Sequence, residues 1–361
     1  MTITLEPTMS RTYATGTGEL PSALRATLNQ IAVGGHVAAA EFASAMVQTA
    51  EVRGGARDIA LATLMAAAMS HGPESATAHA VIDAALSLGR RRAADTVTVP
   101  SSRVVLVAGS GKKGVRTLNV STPSALVAAA AGAKVIKVGS SATSSALGSR
   151  DLAAALGVIE RSTTREVRQD LDEHGFAFVA VEPNIPAIDK VYGGRFHAPN
   201  LFSFGLSALA SPVRGDVTLF GLSHPQVEVA ARVLARFGMA DVNVISTRTP
   251  SSAYIDEIGL TGELLSCRVR RGVVDQARAR ALPSSAMPLP IAQDSDEAVA
   301  RTRELLGGQG LPAHRALVAR NASYVVSLSD PSVAPGEAYQ RVQDVLSSGL
   351  AQPQVMGGGA R

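Results

Sequence analysis

Apolar and polar positions repeat along the chain with two periods, and the change of period divides it. From Pro21 to about Arg92 the spacing is helical: Leu24, Leu28 and Ile31 mark one apolar stripe, and Phe42, Met46 and Val47 another. Arg57-Asp58 opens a strongly apolar helix (IALATLMAAAM) and Ala76 to Leu88 forms a fourth, with glycine pairs and His71-Gly72-Pro73 between them. A charged, then β-branched linker runs from Arg90 to Arg103. Short apolar runs then take over. Val104 to Ala108, Lys134 to Val138, Phe176 to Val181, Asp216 to Phe220, Val242 to Ser246 and Leu264 to Arg270 have the length and branching of buried strands. Between them, an alanine-rich helix opened by Ser121-Thr122-Pro123, a second helix from Leu147 to Leu156 and a third from Gln226 to Phe237 are predicted. A polar, proline-rich passage leads to Ile291, and helices over Asp294 to Leu306, Pro312 to Val326 and Gly336 to Ser348 finish the chain.

This alternation predicts an α/β fold: a small all-helical N-terminal domain, then a larger α/β domain with a mostly parallel central sheet flanked by helices. The expected limits are a flexible tail over 1–20, a helical domain over 21–95 joined by part of 184–208, the α/β domain over 100–350, and a flexible tail over 351–361.

Composition narrows the function. The 361 residues are 46% apolar, enough for an ample core. A net charge of +4, aromatics at 4% and no Trp give no basic, aromatic-studded surface, so no nucleic-acid partner is expected. The single Cys267 excludes an intramolecular disulfide and suits a reducing compartment. The N-terminus lacks a basic start followed by an apolar core, and no apolar run reaches the roughly 18 residues of a spanning helix, so a cytoplasmic protein without membrane contact is expected.

The candidate chemistry lies between Val104 and Gly157. Two strands empty into loops rich in Gly and Ser, each followed by a helix, an arrangement that turns backbone N–H groups toward phosphate. The chain has five lysines, and three of them (Lys112, Lys113 and Lys137) fall on or beside these loops. Gly109-Ser110-Gly111-Lys112-Lys113-Gly114 reads literally as G-x-G-x-x-G, but no Asp or Glu occurs from Val115 to Ser149 to hold a ribose, which argues against a dinucleotide site. Taken alone, Lys112-Lys113 would serve as a solvated turn, Ser121-Thr122 as a helix cap and Asp256-Glu257 as a surface pair; His197 and His224 read as ordinary loop histidines.

The order of these segments resembles anthranilate phosphoribosyltransferase and its relatives. That family carries G-T-G-G-D-G, T-F-N-x-S-T, K-H-G-N-R, S-S and G-S-x-D in sequence. Here the same order reads Gly109–Gly114, Thr117-Leu118-Asn119-Val120-Ser121-Thr122, Lys137–Ser141, Ser144-Ser145 and Gly148-Ser149-Arg150-Asp151. Asp256-Glu257 matches the family's metal pair, Arg195 falls near an arginine that contacts the acceptor carboxylate, and Arg320-Asn321-Ala322 matches an Asn-Ala helix.

The resemblance implies transfer of ribose 5-phosphate from phosphoribosyl pyrophosphate to an aromatic or heteroaromatic acceptor, with release of pyrophosphate. It assigns catalytic roles to Lys113, Asn119 and Lys137. Substrate contacts fall to Gly109, Ser110, Gly111, Lys112, Gly114, Thr117, Ser121, Thr122, Gly139, Ser140, Ser144, Ser145, Ser149 and Arg195, and Mg²⁺ to Asp256, Glu257 and Ser121. A homodimer through the N-terminal helices is also implied.

Departures qualify it. Lys113 stands where the family has Asp, Val138, Ser140 and Ser141 replace His, Asn and Arg, and the hinge has become Phe204-Gly205-Leu206-Ser207-Ala208-Leu209. Fewer magnesium ions and a rewritten acceptor pocket, suited to specialised metabolism, are the expectation. A nucleoside phosphorylase of the same fold, or a non-catalytic anion- or nucleic-acid-binding relative, remain the alternatives.

Overall fold

The computed structural model describes residues 20–70, 72–89, 94–100, 102–111, 117–142, 147–283, 285, 287–288 and 290–352. Both expected tails lie almost wholly outside this set.

The helical opening is as its spacing predicts: α1 (Ser22–Ala32), α2 (Ala39–Gln48), α3 (Gly54–Ser70) and α4 (Ser75–Ser87). Strand β1 (Asp95–Thr96) leads into β2 (Val104–Gly109), α5 (Ser121–Ala130), β3 (Lys134–Gly139), α6 (Ser149–Ala155), α7 (Thr164–His174), β4 (Phe176–Ala180) and α8 (Pro186–Tyr192). The chain continues through α9 (Leu206–Leu209), β5 (Val213–Arg214), β6 (Val217–Gly221), α10 (Val227–Arg236) and β7 (Asp241–Arg248). The short strands β8 (Tyr254–Ile255) and β10 (Val273–Val274) flank β9 (Glu263–Arg270); β11 (Arg278–Ala281), α11 (Ser295–Leu306), α12 (Pro312–Ser329) and α13 (Pro335–Ser348) follow.

The sheet runs β10-β9-β7-β6-β2-β3-β4, with β11 on β9 and β8 on β7. Pairs among β7, β6, β2, β3 and β4 are parallel. Strand β9, expected to continue the alternation, instead turns back antiparallel to β7, because only a short excursion through β8 separates them and no helix carries the chain across. The inner strands are buried on both faces, which explains their unbroken apolar runs. Along β2, Val104, Leu106 and Ala108 join a core shared with α1–α4 and α10, whereas Val105 and Val107 join a second core with α5, α12 and α13.

Helix α7 and strand β11 were also not predicted. Helix α7 shows almost no apolar stripe; its signals are the Thr163–Glu166 capping box and Gly175, left-handed at φ 73°, just past its end. Strand β11 lies within the passage read as irregular, and its four residues are all exposed, so only its ladder with β9 defines it.

Candidate active site

The order of the parallel strands reverses at β2: the chain moves outward through β3 and β4, then returns to the other side of β2 for β6 and β7. A crevice opens beyond the carboxyl ends of the strands at such a point. Gly109 and Gly221 end β2 and β6 there as direct partners. Both glycines are needed because the segment after β8 presses on them. A Cβ on Gly221 would lie 2.1 Å from the Asp256 carbonyl oxygen, and one on Gly109 would lie 2.9 Å from Asp256 Oδ2. The acidic pair is thereby seated on the first glycine loop, and a small cavity of about 20 Å³ is lined by Gly109, Ser121, Gly221, Asp256, Glu257 and Asn321.

The acidic segment is held from two sides. Thr247 Oγ1 donates to the Glu257 carbonyl at 2.7 Å and accepts from the Gly259 amide at 3.0 Å. On α12, Asn321 Oδ1 accepts from the Ile258 amide at 2.9 Å, and its Nδ2 donates to the Ile258 carbonyl at 3.0 Å. Arg320 donates to the carbonyls of Gly259 and, at 3.1 Å, Leu260. Glu257 itself is only 3% exposed.

The first loop is fastened to β6. The Ser110 amide donates to the Gly221 carbonyl at 2.8 Å, and Ser110 Oγ accepts from the Ser223 amide at 2.9 Å. Ser207 Oγ donates to the Gly109 carbonyl at 2.8 Å. Gly111 turns the chain with φ 60°. Lys112, Lys113 and Gly114 lie outside the described residues.

At the start of α5 the cap differs from the one expected. Val120 takes the cap position, and Asn119 Oδ1 accepts from the Thr122 amide at 3.2 Å. Asn119, two residues before the helix, has the length to reach back over its first turn. Ser121 is left to face the cavity, and Thr122 Oγ1 is buried with no hydrogen-bond partner among the described residues. Asn119 Nδ2 reaches Ser149 Oγ at 3.4 Å, while the Asn119 carbonyl accepts from His314 Nε2 at 3.2 Å. His314 is fully buried on α12, and burial, against that hydrogen bond, pulls its pKa down to about 4. It is neutral at physiological pH and carries its proton on Nε2, since a carbonyl faces that atom. Thr117 enters this turn, and the Leu118 amide donates to the Pro290 carbonyl at 2.8 Å.

The second loop leaves β3. Lys137, 2% exposed, is one of the largest fully buried side chains, and its ammonium donates to the Val138 carbonyl. Gly139 passes so close to α6 that a Cβ there would meet Ser149 Cβ at 2.6 Å. The Ser140 carbonyl accepts from the Arg150 amide at 3.0 Å, and the Ser141 amide donates to Glu182 Oε1 at 2.7 Å. Asp151 Oδ2 accepts from the amides of Ala142, at 2.8 Å, and Gly148, at 3.0 Å, and so ties both ends of the loop. Ser144 and Ser145 lie outside the described residues.

The fold therefore brings Gly109, Ser110, Gly111, Asn119, Ser121, Thr122, Lys137, Gly139, Ser140, Ser149, Asp256 and Glu257 to one end of the sheet. Arg195 stands apart. Its Nη1 contacts Asp58 Oδ1 at 2.6 Å and its Nε donates to the Val191 carbonyl at 2.7 Å, joining the end of α8 to α3. Sequence reasoning gave no role to His314 or Glu182, since each acts on backbone and leaves no motif of its own; Asp151 stood in the G-S-x-D match, but its hold on both ends of the loop was not foreseen.

The donor set suits a hard cation. Two adjacent carboxylates and a hydroxyl on one cavity fit Mg²⁺, which keeps several waters and needs few protein ligands; no group of three or more His, Cys, Asp or Glu with metal-binding geometry occurs among the described residues. No helix among the described residues is long and apolar enough to cross a membrane.

Residues 101–352 match the family described as glycosyl transferase family, a/b domain. The chain belongs to this family. It is 32% identical to anthranilate phosphoribosyltransferase of Laribacter hongkongensis, over 75% of this chain and 80% of that protein. The crystal structure of the Thermus thermophilus anthranilate phosphoribosyltransferase superposes with a TM-score of 0.65 at 26% identity, covering 90% of this chain and 95% of that one. The Saccharomyces cerevisiae enzyme in complex with phosphoribosyl pyrophosphate and Mg shares the fold, with a TM-score of 0.68 at 16% identity over 92% of this chain and 96% of that one. The family and these relatives make this chain an enzyme of the pentosyltransferase class.

Proposed function

We propose that the enzyme transfers ribose 5-phosphate from phosphoribosyl pyrophosphate to a nitrogen of a small aromatic acceptor and releases pyrophosphate. The observation that carries this reading is the seating of Asp256 on Gly109 at the strand-order reversal, which puts a metal-competent acid pair beside a phosphate-type loop. In the reaction the bond from ribose C1 to the pyrophosphate oxygen breaks, the electron pair leaves with pyrophosphate, and the acceptor nitrogen forms the new bond and gives its proton to solvent. Catalysis of this kind needs an anchored leaving group and an oriented nucleophile. Gly109, Gly111 and Gly114, lacking side chains, let the backbone of the first loop approach the pyrophosphate. Asn119, Ser121, Thr122 and Lys137 supply donors, Thr117, Gly139, Ser140 and Ser149 line the phosphate end, and Lys112, Lys113, Gly114, Ser144 and Ser145 complete the two loops. Asp256, Glu257 and Ser121 would hold Mg²⁺, which neutralises charge on the leaving group.

Lys113 in place of an acid lowers the number of ions held, and the altered hinge around Phe204–Leu209 suits an acceptor of specialised metabolism. Arg195, which stands apart in its pair with Asp58, would meet an acceptor carboxylate only by exchanging Asp58 for it, as a guanidinium fork accommodates either. The N-terminal helices pair two copies of the chain, in the cytosol. Calorimetry with phosphoribosyl pyrophosphate tests the donor assignment: magnesium-dependent binding is expected, and tighter binding of inorganic phosphate plus a nucleoside would overturn it in favour of a phosphorylase.

A further inference from the structure

On the far side of the acidic segment from the catalytic cavity lies a second, larger cleft of about 810 Å³. Five arginines line it (Arg103, Arg268, Arg270, Arg280 and Arg320) against one carboxylate, Asp241. Two of the five are neutralised nearby: Arg103 meets Asp241 at 2.5 Å, and Arg270 meets Asp275 at 3.0 Å. Arg320 donates through Nη1 to the carbonyls of Gly259 and Leu260. Arg268 and Arg280 have no ion pair among the described residues. Burial, against the charge of Tyr339 and with the like charge of Arg280, draws the Arg320 guanidinium below its ordinary value, and Asp241, paired with Arg103, is the one carboxylate among the residues that line the cleft.

The strand register sets the spacing. Arg280 stands directly opposite Leu264, and Arg268 lies four residues further along the same face of β9. That is about 13 Å between the backbone positions at the rise of a strand, which leaves room for a ligand longer than a single phosphate. The lining also carries apolar surface from Ile258, Leu282, Pro283, Tyr324 and Leu328, beside the small polar groups of Asn243, Ser323 and Ser327. The Tyr324 ring is braced by its hydroxyl on Asn243 Oδ1 at 3.2 Å. A volume in the range of small-molecule sites, apolar surface in the lining and forked cations at separated points together specify the ligand class.

We propose that this cleft binds an organic polyphosphate, a phosphorylated anion with an apolar body such as a nucleoside diphosphate, at a site separate from catalysis. The two sites share a wall. Arg320 and Tyr324 face this cleft while Asn321 and Val325, beside them on α12, face the catalytic cavity. Arg320 also grips the segment that carries Asp256 and Glu257, so a ligand competing for its guanidinium loosens that grip and weakens magnesium binding. This coupling, unlike the site, rests on the reading of the acidic pair as the magnesium ligands.

The test is calorimetric titration of the full-length protein with ADP. Arg268→Gln/Arg280→Gln should bind ADP at least about tenfold more weakly than wild type, the cost of losing charged contacts of ordinary strength. Its affinity for phosphoribosyl pyrophosphate and its melting temperature should be unchanged, because both side chains are exposed. Lys137→Met should keep the wild-type ADP affinity, and adenosine should not bind. Equal ADP affinity in wild type and the arginine variant, or loss of ADP binding in Lys137→Met alone, overturns the site and leaves the catalytic reading standing. With ADP bound, the magnesium needed for half-maximal rate should rise about threefold or more in wild type only; an unchanged value overturns the coupling.

Discussion

The side chain of Asn321 binds both the amide and the carbonyl of Ile258, at 2.9 and 3.0 Å, as a neighbouring strand would. Its Nδ2 also donates to the Leu317 carbonyl at 2.9 Å, within its own helix. A single side-chain amide thereby fixes the acidic segment to a long helix. Asn321, in the Asn-Ala pair on α12, thus sets where Asp256 and Glu257 stand.

Asn321→Ala should therefore act on the metal more than on the donor. Buried donors and acceptors left unmade cost about 1–3 kcal/mol, so a melting temperature several degrees lower is expected. In magnesium titrations of the steady-state rate, half-saturation should rise about tenfold while the donor affinity at saturating magnesium stays within about threefold. A variant with normal magnesium dependence would separate Asn321 from the acidic pair.

Lys137 sits in the core as well as in the site, and this decides which substitution is informative. Lys137→Ala would leave a cavity of the kind that costs about 2–5 kcal/mol. Lys137→Met keeps the apolar stem and removes the ammonium, with its charge and its hydrogen bond to the Val138 carbonyl. It should remain folded and bind phosphoribosyl pyrophosphate at least about tenfold more weakly. Unchanged affinity in calorimetry would remove the ammonium from the donor site.

His314 imposes a pH dependence whose sign is fixed. Its folded-state pKa of about 4 lies below the ordinary 6.5, so the unfolded chain binds the extra proton between these values. Its contribution to stability is complete above pH 6.5, falls as the pH drops toward 4, and amounts to about 3 kcal/mol. His314→Gln can still donate to the Asn119 carbonyl but cannot titrate. Denaturation curves from pH 7 to pH 4 should show a steeper loss for wild type than for the variant; parallel losses would contradict the assignment.

Lys113 supplies a test of the metal count. Lys113→Asp should raise the dependence on Mg²⁺, whereas Lys113→Ala should mainly lower rate or donor affinity. Magnesium curves that coincide for wild type and Lys113→Asp would make the lysine a bystander.

The central strands were legible because burial on both faces leaves a continuous apolar run, as in Val104–Ala108. The helical opening was legible from the spacing of residues such as Leu24 and Met46, both now in the core. Helix α7 was not, since it buries little more than Val167 and Leu171 among its apolar residues and depends on its caps. Strand β11 was not, because its exposed Arg-Ala repeat is defined only by the register of β9. In the site, the glycine loops announced themselves, whereas Asp256-Glu257 taken alone reads as a surface pair and was singled out only by the family resemblance: what marks it in the structure is the close approach to Gly109 and Gly221, a relation between residues far apart in the chain. The exchange of cap from Ser121 to Asn119 was equally hidden, since either residue type can do it.

The most direct test of the account is product analysis of wild-type enzyme given phosphoribosyl pyrophosphate, Mg²⁺ and a panel of aromatic amines, with carboxylated members paired to their amides. The account expects at least one acceptor to yield a ribose 5-phosphate adduct and pyrophosphate in equal amounts, with no pyrophosphate when the acceptor is omitted. The acid should outpace its amide, and that preference should vanish in Arg195→Ala. Ribose transfer that requires inorganic phosphate and a nucleoside in place of the pyrophosphate donor would contradict it.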